Sequence, residues 1–207
     1  MALFEKYHVR IISDEIWSDL LLHGHRHIPT QSVSEYAREN TVALYAPSKT
    51  FNLAGLIGSY HIIYNDELRA AVRKQASLCH YNSMNVLSMY ALIGAYSQEG
   101  EEWLTELRQV LSRNVDDACE YIQNELPGLK CFRPEGTYML FVDCGDYCEK
   151  YGISLDDIEK RVWSVGVAVQ DGRMFHGPCH LRINLALPNS RVKEAFRRLK
   201  EYVFTEA

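Results

Sequence analysis

The chain has 207 residues, 47% of them hydrophobic and 24% charged, with a net charge of −5, enough for one large core or two small ones. That mild acidity, without any basic run, gives no footing for nucleic acid. The longest apolar stretch, from Val86 to Ala95, falls well short of the ~20 residues needed to span a bilayer, and residues 1–8 lack a secretory profile, so a cytoplasmic protein is expected.

Residues 1–98 alternate short apolar strands with helices, the pattern of an α/β layer. Val9 to Ser13 reads as a strand running into Asp14 and Glu15. Ser32-Val-Ser-Glu35 reads as a capping box opening a short helix. Thr41 to Ala46 is a second strand, stopped by Pro47, and Gly58 to Tyr64 is a third, followed by a helix from Asp66 to Gln75. Met84 to Ser97 is apolar nearly all round, which predicts a buried helix ended at Gly100.

A long connecting helix is expected over 99–127, because Leu104, Leu107, Leu111, Val115, Ala118 and Ile122 recur at steps of three or four. Pro127-Gly128 ends it. Residues 128–207 read as a small α+β lobe. Its strands are Leu129–Arg133, Tyr138–Asp143, Val165–Val169 and Leu181–Leu187. One helix is capped by Ser154, and a last one carries Val192, Phe196, Leu199 and Val203.

The six cysteines lie in apolar periodic segments and do not form a disulfide framework. Cys144, Cys148, His176, Cys179 and His180 are spaced too loosely for a structural zinc site. His23, His25 and His27 alternate in a polar loop, where solvation is the expectation, and no metal is assigned.

Asp14 and Lys49 each follow the C-terminal end of an apolar strand, the position where open parallel sheets bind ligands. A carboxylate and an ammonium could face each other there across a bound molecule. The plainer alternative is a solvated acidic loop of Asp14, Glu15 and Asp19 beside a surface lysine.

The local sequences weigh on that choice. Ile12-Ser-Asp-Glu-Ile16 and Ala46-Pro-Ser-Lys-Thr-Phe-Asn-Leu-Ala-Gly55 resemble two motifs of fold-type I pyridoxal-phosphate (PLP) enzymes of the class I/II aminotransferase family. The closest likeness is to the MalY/PatB-type cystathionine β-lyases (C–S lyases). Leu181-Arg-Ile-Asn-Leu-Ala-Leu-Pro188, Glu135-Gly-Thr-Tyr138 and Asp171-Gly172 extend the resemblance to the second lobe.

The resemblance implies an α/β fold: part of a three-layer PLP-transferase large domain with a mostly parallel sheet, plus a small C-terminal α+β domain. It implies pyridoxal 5'-phosphate as cofactor and an amino acid as substrate. Lys49 would be the catalytic amine that condenses with the cofactor aldehyde, and Asp14 would hold the proton on the pyridine nitrogen. Arg182 would clamp the substrate carboxylate with its two-pronged face. Ser48 would touch the cofactor phosphate and Trp17 the phenolic oxygen, with Asn184 a structural neighbour of Arg182. Tyr81 and Asn82 could approach the cofactor or pack in a core.

Two positions depart from the family pattern. Ile57 stands where aminotransferases usually carry a phosphate-binding arginine, and Trp17 stands where a tyrosine or histidine is usual. Both point away from an ordinary transaminase.

The implied activity is β-elimination from cystathionine or cysteine conjugates. Transamination is the second option, and an inactive fragment or interaction subunit the third. Family members carry a long N-terminal segment before the aspartate strand, so the chain is expected to be a C-terminal half. It would then pair as a homodimer or with a complementing N-terminal chain.

Overall fold

Residues 1–79 and 83–205 are described by the computed structural model, and Tyr81 and Asn82 lie outside them. The chain divides into two units, Met1–Glu106 and Leu107–Ala207.

The first unit opens with α1 (Ala2–Lys6) and β1 (Ile11–Asp14). A 3-10 turn (Thr30–Ser32), α2 (Glu35–Asn40) and β2 (Thr41–Tyr45) follow. β3 (Tyr60–Ile62), α3 (Asp66–Ser77), α4 (Val86–Ala95) and the start of α5 (Gln98–Glu125) complete it. The sheet order is β1-β2-β3. β1 and β2 are parallel, joined by a crossover that contains α2. β3 runs antiparallel to β2. The connection from 46 to 59 holds only turns and a 3-10 helix, and it returns the chain without the helical crossover that a parallel partner needs. The mostly parallel sheet of the sequence reading is therefore confined to the β1–β2 pair.

Two details of this unit differ from expectation. Ser34, not Ser32, caps α2, its Oγ accepting from the N–H of Ala37 at 3.1 Å. Buried Gln31 donates its side-chain amide to the carbonyls of Thr41 and Ile62, both at 3.0 Å. That anchor holds residues 30–32 in their own turn and delays the helix.

The second difference is α4, which is not a buried helix. Among its residues only Ser88 and Ala95 are buried, whereas Val86, Leu87, Tyr90 and Ile93 are 61–70% exposed. It also ends at Ala95 rather than at Gly100. Gly100 lies inside α5, where a Cβ would sit 1.9 Å from the Ala95 carbonyl oxygen. Only glycine permits so tight a junction between the two helices.

The second unit holds the rest of α5, then β4 (Lys130–Cys131), β5 (Met139–Asp143), α6 (Gly145–Tyr151) and α7 (Leu155–Ser164). β6 (Gln170–Asp171), β7 (His180–Asn184) and α8 (Asn189–Arg198) follow, with a π-helical turn at Leu199–Val203. Its four strands form an antiparallel sheet in the order β4-β5-β7-β6. The expected periodicity of α5 is real: Leu111, Val115, Ala118 and Ile122 are buried, and so are Leu140, Val142, Ile158, Val162, Leu181 and Phe196. Apolar burial of this kind contributes about 25 cal/mol per Å².

The one buried amide of α5, Asn114, donates to the carbonyls of Leu185 and Leu187 at 2.8 and 2.9 Å. It thereby satisfies backbone groups just past β7. Ser154 caps α7 in a reciprocal box with Asp157. The predicted strand at 165–169 is absent. Pairing begins only at Gln170, where β6 meets β7. No helix among the described residues is long and apolar enough to cross a membrane.

Candidate cofactor site

β1 and β2 pair in parallel with Ile11 opposite Thr41 and Asp14 opposite Leu44, so their C-terminal ends reach the same edge of the sheet. Asp14 is the last residue of β1 and its side chain is exposed. Its Oδ1 accepts the N–H of Ile16 at 3.2 Å, which orients the carboxylate from the turn that follows. Lys49 lies in the tight turn after β2, where Phe51 N–H donates to the Pro47 carbonyl and Leu53 N–H to that of Ser48, at 2.9 and 3.0 Å. The Lys49 Nζ stands 5.9 Å from the centroid of the Trp17 ring, within cation–π range.

Each of the two charged residues is followed in sequence by a buried polar one. Glu15 is only 5% exposed. Its carboxylate accepts the hydroxyls of Ser13 and Tyr45 and the N–H of Thr30, all at 3.0 Å, and His27 Nε2 lies 2.5 Å away. Burial pushes this carboxyl up, but His27, the Thr30 N–H, Tyr45 and Ser13 together outweigh it and hold it at about 2. Burial and the facing Glu15 push the Tyr45 phenol well above its ordinary value.

Thr50 is 1% exposed, and its hydroxyl donates to Asp19 Oδ2 at 3.0 Å. The same oxygen accepts from the Tyr96 hydroxyl at 3.3 Å. Glu15 and Asp19 are thus not a solvated acidic loop, and His27 is not a free loop histidine. They bind the 15–30 segment to β2 and to the lysine turn.

Behind that turn runs an aromatic series, also missed in the sequence. Tyr45 stacks on Tyr60, Tyr60 meets Tyr96 edge-on, and Phe51 packs against both Tyr96 and Trp103, with ring centroids 5.5–6.0 Å apart. The sequence holds no local signal for it, because the five rings come from five separate segments. Ile57 is 81% exposed, at a φ of 36° that a β-branched residue rarely adopts.

Arg182 belongs to the second unit, on β7. Its Nη1 donates to Gln170 Oε1 at 2.9 Å, across the β6–β7 pair, and its guanidinium carbon lies 4.5 Å from the centroid of Phe175. These contacts hold the planar fork in one orientation. Asn184 Oδ1 accepts the N–H of Ala186, so it shapes the end of β7. Gly172 is needed opposite the start of β7, since a Cβ there would come 2.5 Å from the His180 carbonyl oxygen. Among the described residues no cluster of His, Cys, Asp and Glu could hold a metal ion, and all six cysteines are free.

This donor set fits pyridoxal phosphate. A primary amine suits the aldehyde and a carboxylate suits the pyridinium proton; the amine stands near an indole and the carboxylate ends β1. The sequence model of the family described as Aminotransferase class I and II matches residues 1–199. The chain belongs to the aminotransferase class I and II family.

Among curated members of that family, it is 32% identical over 195 residues to the cystathionine beta-lyase PatB of Bacillus subtilis (strain 168), covering 93% of this chain and 49% of PatB. It is 26% identical over 202 residues to an aspartate aminotransferase of the same organism, covering 96% of this chain and 50% of that one. The PLP-bound C–S lyase from Staphylococcus hominis superposes with a TM-score of 0.85 at 29% identity, over 99% of this chain and 51% of the lyase. The chain spans about half the length of the relatives it matches, in keeping with the C-terminal half expected from its motifs.

Proposed function

We propose that the complete protein is a cytoplasmic PLP-dependent carbon–sulfur β-lyase acting on cystathionine or cysteine S-conjugates. In this reading residues 1–98 belong to the cofactor-binding large domain, 99–127 form the connecting helix and 128–207 are the small domain. The observation that carries the proposal is the placement of the Lys49 amine beside Trp17, at the sheet edge where Asp14 ends β1.

When bound, the cofactor supplies an electron sink for the charge left at the substrate Cα. The residues divide the remaining work. Asp14 holds the proton on the ring nitrogen. Ser48 would donate its hydroxyl to the phosphate, and Trp17 its indole N–H to the phenolic oxygen. Lys49 would hold the cofactor through its aldehyde and, as a free amine, would take the Cα proton of the substrate. Arg182, steadied by Gln170 and Phe175, binds the substrate carboxylate through two parallel N–H donors. Loss of the β-thiolate and hydrolysis of the remainder yield a thiol, pyruvate and ammonia.

Three features favour elimination over transamination. Ile57 replaces a phosphate-binding arginine and Trp17 a titratable ring, and PatB is the more similar of the two curated relatives above. Transamination shares the Cα deprotonation and is kept as the second reading, because an aspartate aminotransferase is also a relative.

The exposed apolar face of α4 and the open edge of β1 support a third element of the proposal. In the working enzyme they are covered by a second copy of the chain or by a complementing N-terminal polypeptide. Without that cover, the chain alone is expected to turn nothing over.

Two assays test the proposal. Purified chain mixed with pyridoxal phosphate is scanned for a lysine-dependent absorption band, with Lys49→Ala as control. The full-length protein is supplied with cystathionine and assayed for thiol and pyruvate. Amino transfer to a keto acid without thiol release would reject the lyase reading, and an identical spectrum in Lys49→Ala would reject the site.

A further inference from the structure

The second unit holds a pair of thiols that the proposed chemistry does not use. Cys148 Sγ and Cys179 Sγ lie 3.0 Å apart, about 1 Å longer than a disulfide bond. Cys148 is on α6 and Cys179 immediately precedes β7.

Their backbones are tied together independently of the sulfurs. Cys144 N–H donates to the Cys179 carbonyl at 2.8 Å, and Cys148 N–H donates to the Cys144 carbonyl at 2.9 Å. The Gly177 turn is equally constrained, since a Cβ there would meet Phe141 at 2.4 Å. The two sulfurs therefore face each other on supports that cannot drift apart. Both are partly exposed, whereas Cys144 and Cys119 are buried.

We propose that Cys148 and Cys179 form a reversible disulfide when the protein meets a peroxide, making this pair a modification site in the small lobe.

The step balances. The Cys179 thiolate attacks one peroxide oxygen and the O–O bond breaks, giving a sulfenic acid and a hydroxide that leaves as water. The Cys148 sulfur then displaces the hydroxyl from the Cys179 sulfur. That hydroxyl departs as a second water with the Cys148 proton. One S–S bond forms, the two sulfurs lose two electrons in total, and the peroxide gains them. Burial and the facing Cys179 push the Cys148 thiol up, which favours Cys148 for the resolving role. A dithiol reverses the reaction by exchange.

The bond would fasten α6 to the strand that carries Arg182, closing the chain between residues 148 and 179. It constrains the unfolded state, so the oxidised form should melt at a higher temperature. The proposal stands whether or not the cofactor reading is correct.

The test treats the reduced full chain with stoichiometric hydrogen peroxide, alkylates the remaining thiols and maps the peptides by mass spectrometry. Wild type and Cys119→Ser should both accumulate a Cys148–Cys179 crosslink, and Cys148→Ser and Cys179→Ser should not. The oxidised wild type should melt about 5 °C or more above the reduced form, and a dithiol should abolish the difference. A first crosslink involving Cys144, or one joining Cys119 to Cys131, would overturn the proposal. So would conversion of Cys179 to sulfinic acid while Cys148 remains alkylatable.

Discussion

The hydroxyl of Thr50 donates to Asp19 across 3.0 Å, joining the residue after the candidate catalytic lysine to the loop that follows Asp14. Two segments far apart in sequence thereby share one carboxylate oxygen, which also receives Tyr96. The lysine turn is positioned by this link and by backbone turns of its own.

Thr50→Val keeps the shape and removes the donor. It should cost about 1–3 kcal/mol, because the Asp19 carboxylate loses a charge-assisted hydrogen bond from a buried hydroxyl. Urea unfolding of both proteins measures it. In pyridoxal-phosphate titrations the variant should also bind more weakly than wild type, whereas unchanged stability would mean that the link positions nothing.

Glu15 makes stability pH-dependent. Its folded pKa of about 2 lies below the ordinary carboxyl value of 4.5. Its stabilisation is therefore fully present above about 4.5 and is lost as the pH falls through the window down to about 2. The amount is on the order of 3 kcal/mol. Glu15→Gln should be less stable at neutral pH and should flatten the stability profile across that window. Urea midpoints measured from pH 2 to 6 decide it, and parallel slopes for the two proteins would refute it.

Gly172→Ala inserts a methyl 2.5 Å from the His180 carbonyl oxygen, a backbone atom that cannot swing aside. The β6–β7 connection must shift, at a cost of about 1–3 kcal/mol. Thermal unfolding should show the loss, while Gly152→Ala, whose added Cβ meets open space, should lose less despite its left-handed backbone.

Leu87→Lys and Ile93→Lys replace apolar side chains on the exposed face of α4. Stability of the chain should change by less than about 0.5 kcal/mol. Association measured by sedimentation velocity should fall if that face meets another polypeptide. A large loss of stability without any change in association would contradict the exposure seen here.

Local features were legible from the residues. Ser154 and Asp157 complete a cap within four consecutive positions. The heptad-like spacing of Leu111, Val115 and Ile122 set the buried face of α5. Asp14 and Lys49 could be placed at strand ends, because alternating apolar runs and Pro47 mark those ends. Helix α6 was missed, although Gly152 in the left-handed conformation is an ordinary stop signal. Its apolar content is too sparse for a periodic pattern.

By itself the sequence determined the family and most elements of the first unit, and it supplied the proposed amine, carboxylate and guanidinium. Each of these follows from a short run of neighbouring residues or from their periodicity. Only the tertiary structure decided that Glu15 and Asp19 are clamped rather than solvated, that α2 starts at Ser34's cap, that residues 165–169 do not pair, and that α4 presents its apolar face outward. Burial and hydrogen bonding are properties of what lies opposite. For Glu15 the opposite groups are Thr30 and Tyr45, 15 and 30 residues away, a distance over which no local pattern carries information.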